Sequence, residues 1–355
     1  MNQKILYLIP RLTTGGAEIL VLGYVRALRA RGIDVAVGSI VGGGELLSEF
    51  QALQIPLMIG EAGVLGFWRT LKKLKTFARE FQPTTIHSHV FSADVAAFLL
   101  SFLMKKICWV STQHNVGQAV SWVRQFLTRC MLQRAQAVVA VSGAVMAYCK
   151  GPLAIPAHRL FYIPNGIELS PWLAVSPANL LREKTVRLAI VGRLARQKGH
   201  DLLFQALAMI RDYDWKLAIF GDGSEQQNLE FGIKNLELAD RIEWRGVVRD
   251  LPTHVEDVDV VIQPSRFEGM SLAVMESMAA GRVVIASDAA GEGLIKHGET
   301  GFVVPVADVA ALRDMVSFVF DNRERCRIIA GKARSFASQH FSSHRNIEQV
   351  FSLYE

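Results

Sequence analysis

Cysteine is scarce in this chain. There are four in 355 residues, Cys108, Cys130, Cys149 and Cys326. They form no CxxC pair and no disulfide-like framework. The four read as reduced core thiols of a cytosolic protein. Long apolar runs are also missing, since none reaches the roughly 18 residues that a spanning helix needs. The longest, Val95 to Met104, stops at Lys105-Lys106. The opening MNQKILYLIP has too short an apolar run for a secretory leader and ends in Pro10, so it reads as a first strand. The GxGxxG dinucleotide fingerprint is absent, which counts against an NAD-linked enzyme. No short period repeats, which sets a solenoid aside. The expected location is the cytoplasm, with room for peripheral contact at the inner face of the cytoplasmic membrane.

What is present is ordinary for a folded globular protein. Half the residues are apolar and a fifth are charged, unlike a disordered chain. At about 150 residues per domain, the length suggests two domains. The charge is uneven. Residues 1–170 carry 17 Lys and Arg against 8 Asp and Glu, whereas residues 171–355 carry 22 against 25. A basic first half and a mildly acidic second half point to different partners for each.

Short β-rich runs alternate with longer amphipathic stretches. Strands are expected at Lys4–Ile9, Val35–Ile40, Thr85–His87, Ile107–Thr112, Ala137–Val141 and Leu160–Ile163. Helices are expected at Ala17–Arg31, Phe67–Phe81 and Ala93–Met104. Residues 166–184, with Pro171 and Pro177, read as a linker. The alternation then restarts with strands at Val186–Val191, Lys216–Phe220, Ile242–Arg245, Val258–Gln263, Val283–Ala286 and Gly301–Val304. This predicts an α/β chain of two Rossmann-like domains, each a parallel sheet with helices on both faces.

In such sheets, ligands bind beyond the carboxyl ends of the strands. Three strand-to-helix turns have a suitable composition. Thr13-Thr14-Gly15-Gly16 follows the first strand and offers close backbone approach and free amides, although a plain tight turn looks the same. Gly192 to Gly199 follows Val186–Val191 and carries Arg193 and Lys198, two cations suited to phosphate oxygens. Without other context it is also a solvated basic turn. Pro264 to Ser271 follows Val258–Gln263 and carries Glu268, with Glu276 eight positions on in the helix Leu272–Ala280. Two carboxylates there can accept hydrogen bonds from sugar or ribose hydroxyls, or can merely balance charge at a helix start.

Other features read more plainly. His87 and His89 have metal-like spacing without an assignable third ligand, so they read as a strand-end pair with one buried histidine. Ser142 reads as a helix N-cap and not as a nucleophile. Asn165-Gly166 reads as a tight turn. The triplets Asp212-Tyr213-Asp214 and Asp257-Val258-Asp259 resemble a DxD metal motif but read as surface or strand-entry residues, so no metal site is expected. Phe67, Leu71, Leu74 and Phe77 form an apolar stripe between bases. That suits packing on a sheet, with the lysines left for a basic surface. Trp122, Arg124, Phe126, Leu127 and Arg129 form a second such region.

Taken together, these stretches resemble the family 4 glycosyltransferases. The matching pieces are TTGGAE, HSH at 87–89, VSG at 141–143, YIPNGIE at 162–168, VGRLARQKG at 191–199, FGDG at 220–223, WRGVV at 244–248, PSRFEGMSLAVMESMAAG at 264–281 and GETGFVV at 298–304. They occur in family order over almost the whole chain. The resemblance implies a GT-B fold of two doubly wound Rossmann-like domains facing an interdomain cleft. Residues 1–168 would form the acceptor side and 169–341 the nucleotide-sugar side, with a helix near 342–355 returning to the first.

The resemblance also implies roles. Arg193 and Lys198 would hold the donor diphosphate and stabilise its growing charge, with no metal and no other cofactor. Gly16 would approach the phosphates through its backbone. Glu276 would bind the ribose. Glu268 would contact the donor sugar with the loop residues Gly269, Met270, Ser271 and Leu272. His114 would reach the transferring sugar, and Val248 and Leu251 would flank the base. Glu268, His114, Arg193 and Lys198 are thus the expected catalytic residues. The implied reaction is retaining transfer from a nucleotide sugar, with uridine the expected base, to a glycan or lipid-linked acceptor of a bacterial envelope polysaccharide or lipopolysaccharide. The basic first half adds an anionic membrane surface as a partner, and nucleic acid is not expected. A GT-B nucleotide-sugar epimerase and a non-catalytic partner subunit are the alternatives. Met270-Ser271 departs from the aromatic and Gly or Pro of many family members, which leaves the sugar identity open.

Overall fold

The structure is a computed structural model that describes residues 3–104, 107–116, 121–178, 180 and 183–354. The Lys105-Lys106 pair expected to end an apolar run, part of the 166–184 linker and the terminal Glu355 lie outside the described residues. The chain divides into two compact units, Met1–Gly166 with Ser343–Glu355, and Ile167–Ser342.

The first unit holds seven strands: β1 Lys4–Ile9, β2 Asp34–Ser39, β3 Leu57–Ile59, β4 Thr85–His89, β5 Cys108–Gln113, β6 Ala137–Ala140 and β7 Leu160–Tyr162. Their order is β3-β2-β1-β4-β5-β6-β7, and every pairing is parallel. The central strands are buried almost end to end, which is why they read as continuous apolar runs and not as alternating ones. Helix Gly16–Ala30 packs its Tyr24 side against Tyr7 and the histidines of β4. Helices Val64–Phe81 and Phe91–Leu103 serve the opposite face, where a Cβ at Gly38 would meet Leu8 and Leu74.

Helix Ser343–Phe351 belongs to this first unit. Ile347, Val350, Phe351 and Tyr354 join its core. Tyr24 donates to Asn346 Oδ1 at 2.7 Å, and Asn346 Nδ2 donates to the Pro164 carbonyl at 2.7 Å. Arg31 pairs with Glu348.

The second unit holds six strands: β8 Val186–Val191, β9 Trp215–Phe220, β10 Ile242–Gly246, β11 Val260–Gln263, β12 Val283–Ser287 and β13 Phe302–Val304. The order β10-β9-β8-β11-β12-β13 is again wholly parallel. Its core gathers Leu188, Ile190, Phe204, Trp215, Ile219 and Ile262 on one side, and Val261, Met275, Met278 and Val284 on the other.

Several expectations need correction. Strand β3 was not anticipated, because three residues between Pro56 and Gly60 are too few to show a period. The 166–184 stretch contains a helix, Leu169–Ala174, anchored by buried Trp172. Not every cysteine is a core thiol: Cys149 and Cys326 are buried, but Cys130 is exposed and Cys108 only half-buried. Asn165-Gly166 makes no turn. It is an irregular segment with Asn165 buried.

Candidate active site

Each sheet has one point where the chain reverses direction, and there the loops diverge to leave a crevice. In the second unit that point lies between β8, which the chain leaves towards β9, and β11, which it reaches on the way back. The two loops singled out by composition, 192–199 and 264–271, are the loops that leave the carboxyl ends of these neighbouring strands. They are fastened together. Gln263 Nε2 donates to the Val191 carbonyl at 2.9 Å, Arg266 N to the Gln197 carbonyl at 2.7 Å, and Gln197 Nε2 to the Phe267 carbonyl at 2.9 Å. Arg266 clamps Asp201 with two bonds of 2.8 and 2.7 Å. Gly199 has φ +71°, and a Cβ there would collide with the Pro264 carbonyl, so the close approach requires glycine.

This clamp brings Lys198 and Glu268 together. Lys198 Nζ donates to Glu268 Oε1 at 2.6 Å, with side-chain exposures of 16% and 9%. Ser265 Oγ donates to the same oxygen at 2.8 Å, and the Ser265 carbonyl accepts from Ser287 Oγ at 2.6 Å. The charge of this near-buried pair is therefore balanced between the two loops. Arg193 differs: it is exposed, and among the described residues its guanidinium has no hydrogen bond or ion pair. A free, solvated cation next to a paired one is available to an anionic ligand.

Glu276 sits on the helix Leu272–Ala279 and is partly exposed. Desolvation by the surrounding protein lifts its carboxyl to about 7. Ser271 is the N-cap of that helix, with Val274 N donating to Ser271 Oγ at 3.4 Å, so its hydroxyl is engaged locally. Gly269 is buried beside Glu268. Met270, Leu272, Val248 and Leu251 are half-buried against the same apolar cluster.

The first unit has its own reversal point, between β1 and β4. Gly16 opens helix Gly16–Ala30 beyond β1 and is exposed, with Gly15 as N-cap and no side-chain capping bond. The start of this helix, with Glu18 in its first turn, lies beyond the carboxyl end of β1. His114 follows β5, and burial drives its imidazole down to about 4. Both His87 and His89 are fully buried, not one of them as the sequence suggested. On the other face of β4, Asp94 accepts from Ser88 and Ser111 at 2.7 Å and from Gln113 at 2.9 Å, while burial raises its carboxyl to about 6. Val90, which follows His89, is held at φ +73° and ψ 156°, a conformation that a β-branched residue adopts only under constraint.

Ser142 is an N-cap, accepting from Val145 N at 3.2 Å. Asp212, Asp214 and Asp257 are exposed, and Asp259 accepts from Arg187 N at 2.9 Å at the entry to β11. Among the described residues no three His, Cys, Asp or Glu side chains gather as a metal group, and no helix is long and apolar enough to cross a membrane. On helix Val64–Phe81 Leu74 is buried and Phe67, Leu71 and Phe77 are half-buried, so the stripe packs inward. Helix Trp122–Leu132 does the reverse: Trp122 is 79% exposed and Phe126 60%, beside Arg129. Sequence reasoning missed Ser265, Gln197, Arg266 and Asp201, the residues that hold the loops. Ser265, Gln197 and Arg266 lie inside motifs already noted, with polarity as their only signal, and Asp201 lies just past one.

Comparison with known proteins agrees with this architecture. Residues 14–171 match the profile of Glycosyltransferase Family 4, and residues 174–336 that of Glycosyl transferases group 1. The chain is 26% identical over 275 residues to the lipopolysaccharide core biosynthesis mannosyltransferase LpsB of Rhizobium meliloti, covering 73% of this chain and 75% of that one. It is 22% identical over 327 residues to an Escherichia coli UDP-Gal:alpha-D-GlcNAc-diphosphoundecaprenol alpha-1,3-galactosyltransferase, covering 86% and 83%. Among solved structures, Anabaena HepE in complex with UDP and glucose superimposes with a TM-score of 0.86 at 23% identity, covering 99% of this chain and 98% of that one. With two parallel Rossmann-like sheets and both family halves matched in order, the chain belongs to the family 4 glycosyltransferases of GT-B fold.

Proposed function

We propose that this glycosyltransferase moves a sugar from a UDP-sugar to a hydroxyl of a glycan or lipid-linked acceptor, with retention of anomeric configuration, in the synthesis of a bacterial envelope polysaccharide or lipopolysaccharide. One observation carries the donor half of this reading. A free Arg193 and Lys198 stand on the loop that leaves β8, and Lys198 is paired with Glu268 on the loop that leaves the neighbouring strand β11. Breaking the sugar–phosphate bond builds negative charge on the leaving diphosphate, and preset cations stabilise it without reorganisation. In our reading Arg193 takes the diphosphate first and draws Lys198 with it. Glu268 then turns to the sugar hydroxyls. Glu276 accepts from the ribose, Val248 and Leu251 flank the base, and Gly16 approaches the phosphates through its backbone. His114 meets the transferring sugar. The chain's own cations carry the charge, so transfer is metal-independent. The relatives that act in lipopolysaccharide core synthesis and on an undecaprenyl-linked sugar support the acceptor class. HepE bound to UDP supports the base.

The exposed Trp122 and Phe126 beside basic residues support docking on an anionic membrane surface. The whole chain would then work at the inner face of the cytoplasmic membrane. The decisive experiment is a thermal-shift screen against UDP- and GDP-sugars, because a bound donor raises stability by mass action. We expect a UDP-sugar to raise the melting temperature and EDTA to leave turnover unchanged. Stabilisation by GDP-sugars alone would overturn the base assignment, and no response to any nucleotide sugar would overturn the donor site.

A further inference from the structure

Beside His114, the first unit contains a buried histidine pair that the proposed mechanism does not use. His87 and His89 share a face of β4, since strand residues two apart point the same way. Their ring centroids are 4.3 Å apart, and Tyr7 and Tyr24 lie 6.0 and 6.2 Å from His89. His87 is saturated: Nδ1 lies 2.6 Å from the Tyr354 hydroxyl and Nε2 2.7 Å from Thr112 Oγ1. His89 is not. Its Nδ1 meets His114 Nε2 at 2.9 Å, while its Nε2 is buried with no partner among the described residues. His114 is partly exposed, and its Nδ1 has no protein partner among the described residues.

Burial keeps both rings neutral. It depresses His89 well below the usual histidine range, helped by His87 and His114, and takes His114 to about 4. One hydrogen therefore sits between the two rings. If His114 donated it, His89 would keep its own hydrogen on the sealed Nε2, as an orphaned N–H. Buried N–H groups without partners are rarer in proteins than under-satisfied acceptors. If His89 donates from Nδ1, the sealed Nε2 is only a bare lone pair, and His114 must carry its hydrogen on the outward Nδ1.

We propose that His89 is a positioning residue that locks His114 as the Nδ1–H tautomer, so that His114 presents a hydrogen-bond donor to an oxygen of the transferring sugar. The tautomer lock stands on the first unit alone. The sugar contact rests on the role proposed for His114 above.

The test uses the full chain labelled with nitrogen-15 histidine, with the His114 signals assigned from a His114→Gln variant. Two-bond proton–nitrogen spectra should show Nδ1–H and bare Nε2 in the wild type. His89→Leu should shift His114 towards the Nε2–H form and lower kcat by about 10- to 100-fold, with KM for the donor changing far less. His89→Asn puts an amide donor near the place of Nδ1, and should restore the Nδ1–H form and most of kcat. It also decides the matter if the leucine variant does not fold. A wild-type His114 protonated at Nε2, or a tautomer indifferent to both substitutions, would overturn the lock. If the tautomer moves as expected while kcat is unchanged, the lock holds and the sugar contact of His114 fails.

Discussion

The pairing of Lys198 with Glu268 gives a sharp prediction. The substitution Lys198→Met keeps most of the length of the side chain and removes its charge. It leaves the Glu268 carboxylate, 9% exposed, with Ser265 Oγ at 2.8 Å as its remaining side-chain partner. Breaking a buried ion pair costs about 3–5 kcal/mol. Lys198 is 16% exposed, so some water reaches the pair and the low end, about 3 kcal/mol, applies. At about 2–4 °C per kcal/mol for a domain of this size, the melting temperature should fall by about 6–12 °C. Adding Glu268→Gln removes the stranded charge and should recover about 1–3 kcal/mol, a coupling read by a double-mutant cycle in urea or by calorimetry. A coupling below about 0.5 kcal/mol would refute the claim that the pair holds the loops together. The same cycle bears on function. Glu268→Gln frees Lys198, so UDP should stabilise that variant more than the wild type, even though sugar transfer is impaired. If UDP stabilises both equally, Glu268 does not compete with the diphosphate for Lys198.

Two further outcomes follow from the site. Desolvation raises the Glu276 carboxyl from 4.5 to about 7, so folding takes up a proton there. The group's contribution is therefore intact below about pH 4.5 and is lost as pH rises towards 7 and beyond. Glu276→Gln should accordingly leave the unliganded protein unchanged near pH 4.5 and stabilise it by about 1–3 kcal/mol above pH 7, while UDP affinity falls. A pH-independent difference between variant and wild type would sink the assignment. Arg193 is exposed and unpaired among the described residues, so Arg193→Ala should shift the melting temperature by less than about 2 °C. It should weaken UDP at least 10-fold in calorimetric titration, about 1.4 kcal/mol. Unchanged affinity would remove Arg193 from the donor site.

Much of the architecture was legible because parallel sheets buried on both faces write themselves as β-branched runs. Val186–Val191, Val260–Gln263 and Val283–Ser287 are such runs, and their spacing by amphipathic stretches shows two α/β series. Strand β3 was not legible, because three residues carry no period. The burial of both His87 and His89 was not legible either. Strand alternation puts them on one face, but only the packing of Tyr7, Tyr24 and Tyr354 seals that face.

The sequence by itself determined which loops are rich in glycine, cation and carboxylate, since composition is local. It also determined the α/β class, since burial on both faces is written in each strand. Strand order is not local. That β8 lies beside β11, so that Lys198 meets Glu268 across 70 positions of chain, was decided by the sheet. So was the packing of residues 343–354 on the first unit, through Asn346 and Tyr354. Contacts between distant segments depend on which strands pair, and pairing is settled only when the whole core closes.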